Sequence, residues 1–215
     1  MGTYVGENAI DMEPVETGGN LAPLAALVLS ELPNCSDLVV RQQLGFALRE
    51  FCRETDACAL RCAWNYADGE DLPDGRRAFR IVGVPSGMEL LTVFEVKVNG
   101  LETQFDVLDG PVPKFVPDRW LCDSDKVSAR YSACPKDGGE DCPKWFKEKY
   151  AEAITAGAMF HLLSMSNRVW SDPQRAAQYA AQYQEAIDDA AYRRMQGASA
   201  ASGPSSAIPG GGLFM

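Results

Sequence analysis

Seven cysteines, one histidine and a few acidic pairs are the residues of this 215-residue chain whose side chains and spacing could support chemistry. Cys58 and Cys62 stand at C-x3-C spacing, and Cys134 and Cys142 flank the turn-rich stretch from Pro135 to Gly139. Four such thiolates would satisfy a tetrahedral zinc ion. No second close pair and no histidine at ligand spacing supports that reading, however. An odd cysteine count without a secretory leader favours reduced thiols, with Cys35, Cys52 and Cys122 completing the set, buried as small hydrophobes. His161 lies on the inner face of a helical stretch, with no serine, cysteine or metal partner at a useful spacing, so a core or interface histidine is expected. Asp188-Asp189 and Glu140-Asp141 are neighbours in sequence. On a helix they point about 100° apart, so neither pair alone makes an acid–base dyad. Asp68-Gly-Glu-Asp71 lacks the bidentate glutamate of a calcium loop. Nucleophile elbow, P-loop, dinucleotide fingerprint and paired-histidine zinc motif are all missing. The expectation is a protein with no catalytic residues, no metal and no cofactor.

The elements that would carry these residues change period along the chain. Leu21, Leu24, Ala25, Val28 and Leu32 keep helical spacing up to Pro33-Asn34. Ser36 or Asp37 can then cap a second helix to about Glu54, with Val40, Leu44, Ala47, Leu48 and Phe51 on its buried face. From Ala57 the pattern turns to period two. Strands are expected over Ala57–Tyr66, Arg77–Val84, Met88–Val98, Leu101–Val107 and Lys126–Ala133, with Asn99-Gly100 as a type I′ hairpin turn. Helical spacing resumes at Pro143 and runs without a break through Phe146, Tyr150, Ala153, Ile154, Gly157 and His161 to Met165. Ser171-x-x-Gln174 reads as a capping box for a last helix rich in alanine and tyrosine, to about Gln196. Its stripe is Ala176, Ala180, Tyr183, Ile187 and Ala190, joined by Ala177, Tyr179, Ala186 and Met195, with Gly197 as the C′ residue. Tyr150, Ile154, Tyr179, Tyr183 and Ile187 are the expected helix or subunit packing positions.

The reading is α+β: a helical bundle from 21–56 and 135–197, with an inserted antiparallel sheet or small sandwich over 57–134. Residues 1–20 form an acidic N-terminal arm. Residues 198–215 form a Gly/Ser/Pro-rich C-terminal tail that ends in the apolar tip Leu213-Phe214-Met215, with Ile208 midway. A net charge of −10 argues against a nucleic-acid groove as the main surface. An acidic wall would let DNA slide past without adhering. The apolar run Leu21–Leu29 is far short of the ~20 residues of a membrane span, and the acidic start has no basic leader region. Synthesis in the cytoplasm and no membrane contact are therefore expected.

Several short strings carry a family resemblance. Val40-Arg41 and Arg49-Glu50-Phe51-Cys52 lie on the second helix. Tyr150-x-Glu152, Gly157-Ala158, Leu162-Leu163, Trp170-x-Asp172-Pro173, Ala176 and Tyr179 follow the β-rich middle. Over residues 34–197 this order resembles the head-to-tail adaptor (connector, neck) proteins of tailed bacteriophages. The acidic arm and the cysteines have no counterpart in that pattern. The resemblance implies a structural virion protein in the neck, assembled in the host cytoplasm as a homo-oligomeric ring, usually of twelve. The ring would lie between the portal protein and a tail, nozzle or tube protein, and DNA would pass through it without sequence-specific binding. Ile208, Leu213, Phe214 and Met215 would anchor the tail on the portal. The other class compatible with the residues is a cytosolic, non-enzymatic scaffolding or regulatory module that binds a partner through its alanine-rich helix.

Overall fold

A serine cap, two runs of helical periodicity and a central block of alternation decide how the chain folds. The computed structural model describes residues 20–108, 110 and 112–201, with side chains to Met195. The N-terminal arm before Asn20 and the expected anchoring residues Ile208, Leu213, Phe214 and Met215 lie outside the described residues. The protein is α+β, with helices and two four-stranded antiparallel sheets.

Helix α1 (Ala22–Glu31) starts where Asn20 accepts a hydrogen bond from the Ala22 amide at 2.8 Å. Helix α2 (Asp37–Thr55) is capped by Ser36, whose hydroxyl accepts from the Val39 amide, and it ends on Asp56 in the left-handed region at φ 48°. Val40, Leu44, Ala47, Leu48 and Phe51 form its fully buried face, as the spacing predicts.

The β-rich block is a sandwich. One sheet has the order β1 (Ala59–Asn65), β8 (Lys126–Pro135), β4 (Met88–Val98), β5 (Leu101–Thr103). The other runs β2 (Glu70–Asp71), β3 (Arg77–Arg80), β7 (Lys114–Pro117), β6 (Phe105–Leu108). Trp64 of the first sheet packs on Phe115 at 5.0 Å and Phe79 at 6.2 Å of the second, and those two phenylalanines stack at 5.6 Å. Face-to-face contact of this kind holds sandwiches together. Asn99 and Gly100 take φ 53° and 80° and close the two-residue hairpin, with Val98 paired to Leu101.

The expected single strand from Leu101 to Val107 is two strands. At Gln104 the carbonyl accepts from the Asp118 amide at 2.8 Å, and the chain crosses from the first sheet to the second. Strand β3 stops before Val84 because Gly83 turns at φ 87° and Pro85 follows. Strands β2 and β7 fall in stretches whose glycines and prolines hide the alternation.

The expected continuous helix from Pro143 to Met165 is α3 (Lys144–Lys149) and α4 (Ala151–Leu163). Tyr150 leaves helical geometry at φ −115°, ψ 19°, and its ring rests 4.9 Å from both Phe51 and Phe146. Aromatic packing outweighs the local period there. Helix α5 (Pro173–Ala201) runs through Gly197, so that glycine is not the stop. The alanines that follow it have the highest helix propensity, which offsets about 1 kcal/mol lost at one glycine. The first residues of the expected tail, 198–201, are therefore helical. Asp172, not Ser171, caps α5: its carboxylate accepts from the Gln174 and Arg175 amides at 3.1 and 3.0 Å, whereas the Ser171 hydroxyl donates to the Leu163 carbonyl.

Helices and sandwich share one buried core. Their charged link is Glu89 on β4, which accepts from Arg49 at 2.9 Å and Arg53 at 3.1 Å on α2; Arg49 also pairs with Asp137. The Arg49 guanidinium holds the Glu89 carboxyl below the usual carboxylate range. A depressed carboxylate stabilises the fold above its unfolded pKa, and this contribution is lost as pH falls through the folded value. Glu89→Gln is expected to lower the thermal midpoint at pH 7, and the gap to the parent is expected to close below about pH 4, as read by circular dichroism melts across pH.

Candidate interaction surfaces

The expected packing residues converge inside one chain. Tyr183 of α5 is 4% exposed, and its hydroxyl donates to the Ala47 carbonyl of α2 at 2.8 Å. Burial raises that phenol well above its ordinary pKa, so it stays a donor. Its ring fits against Gly157 of α4, where an added Cβ would lie 2.8 Å from the ring and 3.0 Å from the Ala47 side chain. Phe51 joins the same cluster, 6.2 Å from Tyr183 and 4.9 Å from Tyr150. Ile154 and Ile187 are buried on the facing helices α4 and α5. Tyr179 serves another seam: its hydroxyl and Arg175 both donate to Glu31, each at 2.8 Å, and tie α5 to the end of α1. Ala177 and Met195, expected on the inner stripe, are exposed instead. They sit one helical step off it, where α5 meets no other helix.

His161 and six of the seven cysteines are drawn into packing. His161 lies 3.1 Å from Glu50 of α2 and edge-on to Phe46. Among the described residues no group of three or more histidine, cysteine or acidic side chains is arranged to hold a metal ion. Six cysteines are buried and only Cys122 is exposed. Burial pushes the Cys62 thiol up to about 11 and the Cys142 thiol up to about 12, and it raises Cys134 as well. Thiols held protonated are poor nucleophiles and poor metal ligands. No described helix is long and apolar enough to cross a membrane.

The surface offers contact area. Leu38 (67% exposed) and Phe46 (55% exposed) project from the outer side of α2 into a cleft of about 530 Å³, with Arg41, Gln42 and Arg49 beside them and Asp137 opposite. Tyr192 and Met195 form an exposed pair on α5. The cleft escaped the periodicity reading, because an apolar residue off the buried face carries no local signal beyond being out of phase, and Met195 was read on the inner stripe instead. No protein-family model matches the chain, and no curated protein matches it.

Two outcomes follow from the interior. Gly157→Ala is expected to cost about 1–3 kcal/mol through overpacking. Tyr183→Phe should cost about 1 kcal/mol, since only one hydrogen bond is lost. Both are measured by urea unfolding. In a thiol titration with Ellman's reagent, one equivalent from Cys122 is expected to react quickly in the native protein, against all seven cysteines after denaturation.

Proposed function

We propose that the chain is a structural subunit of a phage-type head-to-tail adaptor, acting through assembly rather than catalysis. The observation that carries this reading is where the resemblance residues fall in the fold. Phe51, Tyr150 and Gly157 meet at the helix junction, and Leu162 and Leu163 are buried beside it. Asp172 caps α5, and Tyr179 ties it to α1. The shared pattern is thus the set of contacts that shapes the bundle. A family built for assembly would keep those contacts while its surfaces diverge. The burial of six cysteines and the contacts of His161 with Glu50 and Phe46 support a role for these residues in packing.

In this reading twelve copies form a ring in the virion neck, assembled in the host cytoplasm. Portal lies on one side, a tail, nozzle or tube protein on the other, and DNA crosses the channel without sequence-specific contacts. The tail would reach a portal groove with Ile208, Leu213, Phe214 and Met215. One such anchor is weak, but many copies on a matched ring gain effective concentration. The second reading, a scaffolding module that binds through α5, is favoured by one observation: the exposed Ala177, Ala181, Tyr192 and Met195 on the outer side of that helix.

Negative-stain imaging and light scattering of the purified chain, with and without portal rings, separate the two. Closed rings that bind portal are expected, and deletion of residues 208–215 should leave the circular dichroism spectrum unchanged while lowering head joining at least several-fold. A chain that stays monomeric and ignores portal overturns the adaptor reading.

A further inference from the structure

The sheet that contains β1, β8, β4 and β5 has two unpaired margins, β1 on one side and β5 on the other. Among the described residues, Leu60–Trp64 and Leu101–Thr103 make no backbone hydrogen bond beyond the strand each already pairs with. Neither margin carries a proline or lysine to discourage pairing, and Leu101 is 68% exposed.

The two margins carry opposite charges on the same face. Arg61 of β1 lies directly across from Arg130 of β8, and two residues along Ala63 lies across from Ser128. Ser128 faces Lys97 of β4, which faces Glu102 of β5. Cross-strand partners share a face, as do residues two apart on one strand, so Arg61 and Glu102 project from the same side of the sheet at its opposite edges. Both are exposed.

Arg61 and Arg130 repel one another, and no described ion pair neutralises Arg61. Besides the Phe94 ring 5.2 Å away, Arg130 has one described ion-pair partner, Glu95 at 3.7 Å, and that carboxylate is already held by Lys97 at 2.6 Å. The Arg130 Nε is buried with no hydrogen-bond partner. The face is short of a carboxylate next to β1. At the other margin, Glu102 opposite Lys97 makes no described ion pair, and the cleft along β5 and β6 adds Asp118, while Asp106 in the same cleft is already paired with Arg76 at 2.8 Å.

We propose that β1 of one copy pairs edge to edge with β5 of the next, so that the sheet continues from subunit to subunit with Glu102 supplying the counter-charge to Arg61. The occupant is a second copy of this chain because the two margins complement each other and not themselves. A β1–β1 contact would bring two Arg61 side chains together, and a β5–β5 contact two Glu102 side chains. Only the head-to-tail joint pairs opposite charges, and a head-to-tail joint propagates into a ring or filament instead of stopping at a dimer. This rests on the assembly reading above and specifies the surface through which copies meet.

The test uses the full-length chain in size-exclusion chromatography with light scattering, with circular dichroism as the check on folding. Arg61→Glu and Glu102→Arg, each alone, are expected to raise the concentration needed for half-assembly about ten-fold, and the two together should restore it to within a few-fold of the parent. As a second readout, Arg61→Cys and Glu102→Cys are placed in one Cys122→Ser chain and treated with a short bis-maleimide. A ladder of linked copies on a denaturing gel is expected only when both cysteines are present. A parent that assembles but is indifferent to both charge reversals, or a double-cysteine chain that assembles yet gives no ladder, overturns edge pairing and leaves the adaptor reading standing. A parent that is monomeric at every concentration overturns both.

Discussion

The Tyr183 hydroxyl reaches the Ala47 carbonyl only because Gly157 has no side chain. Three helices meet at that point, and the requirement that their backbones come this close governs much of what surrounds it. A buried phenol without a partner would cost on the order of 1–3 kcal/mol, so the ring must enter far enough for its hydroxyl to find α2. With α5 placed by that insertion, its next turns carry Ile187 and Ala190 into the same core, and its start carries Tyr179 and Arg175 onto Glu31 of α1. Phe51 fills the space beneath the tyrosine and sets the position of Tyr150. The break between α3 and α4 is thus a consequence of the same junction.

The sandwich is held to this bundle differently. Two arginines of α2 converge on Glu89, and the left-handed Asp56 that ends α2 accepts from Ser132 of β8 and pairs with Arg194 of α5. A carboxylate that gathers several donors has its lone pairs satisfied and stays ionised, and hydrogen bonds to charged groups are stronger than neutral ones. The sheet is consequently oriented on α2 by directional bonds, while the hydrophobic surface beneath supplies the bulk of the attraction. The outer face of the first sheet, with Arg61 and Arg130 opposed, has no matching internal solution. The chain balances charge where helices and sheet meet and leaves Arg61, at the exposed margin, without a described ion pair.

The sequence made the long elements legible because burial imposes a period that composition cannot hide. Helix α2, strand β4 and the Asn99-Gly100 turn stand close to where their patterns place them, and the α+β class follows from the change of period at Ala57. Elements whose conformation depends on distant partners were not legible. Tyr150 breaks a helix whose apolar spacing is unbroken, because its ring is held by Phe51, far away in sequence. Gln104 splits a strand because the Asp118 amide is presented to it. Ser171 was the expected cap, but Pro173 in the first position of α5 leaves that role to Asp172, the residue directly before it. Of the packing residues read from the sequence, Tyr150, Ile154, Tyr183 and Ile187 come together in the bundle, while Tyr179 binds a separate seam. Glu89 and the Arg61–Arg130 pair carried no local signal, and Gly157, read on the buried helical face, gave no sign of the ring it admits, since each matters only through what folding brings beside it.

A chain of net charge −10 that still sets two arginines opposite each other on one sheet face is far from uniform electrostatically. Long-range repulsion between copies of such a chain favours dispersion, so whatever joins them must concentrate opposite charges at short range, where screening by salt leaves the attraction largely intact. An apolar patch alone would bring copies together in many registers. A strand edge with one charge placed by the pleat restricts them, because sliding the pairing by one residue turns Glu102 to the other face and away from Arg61. The same rule that orders β1, β8, β4 and β5 within a subunit would then set the register between subunits.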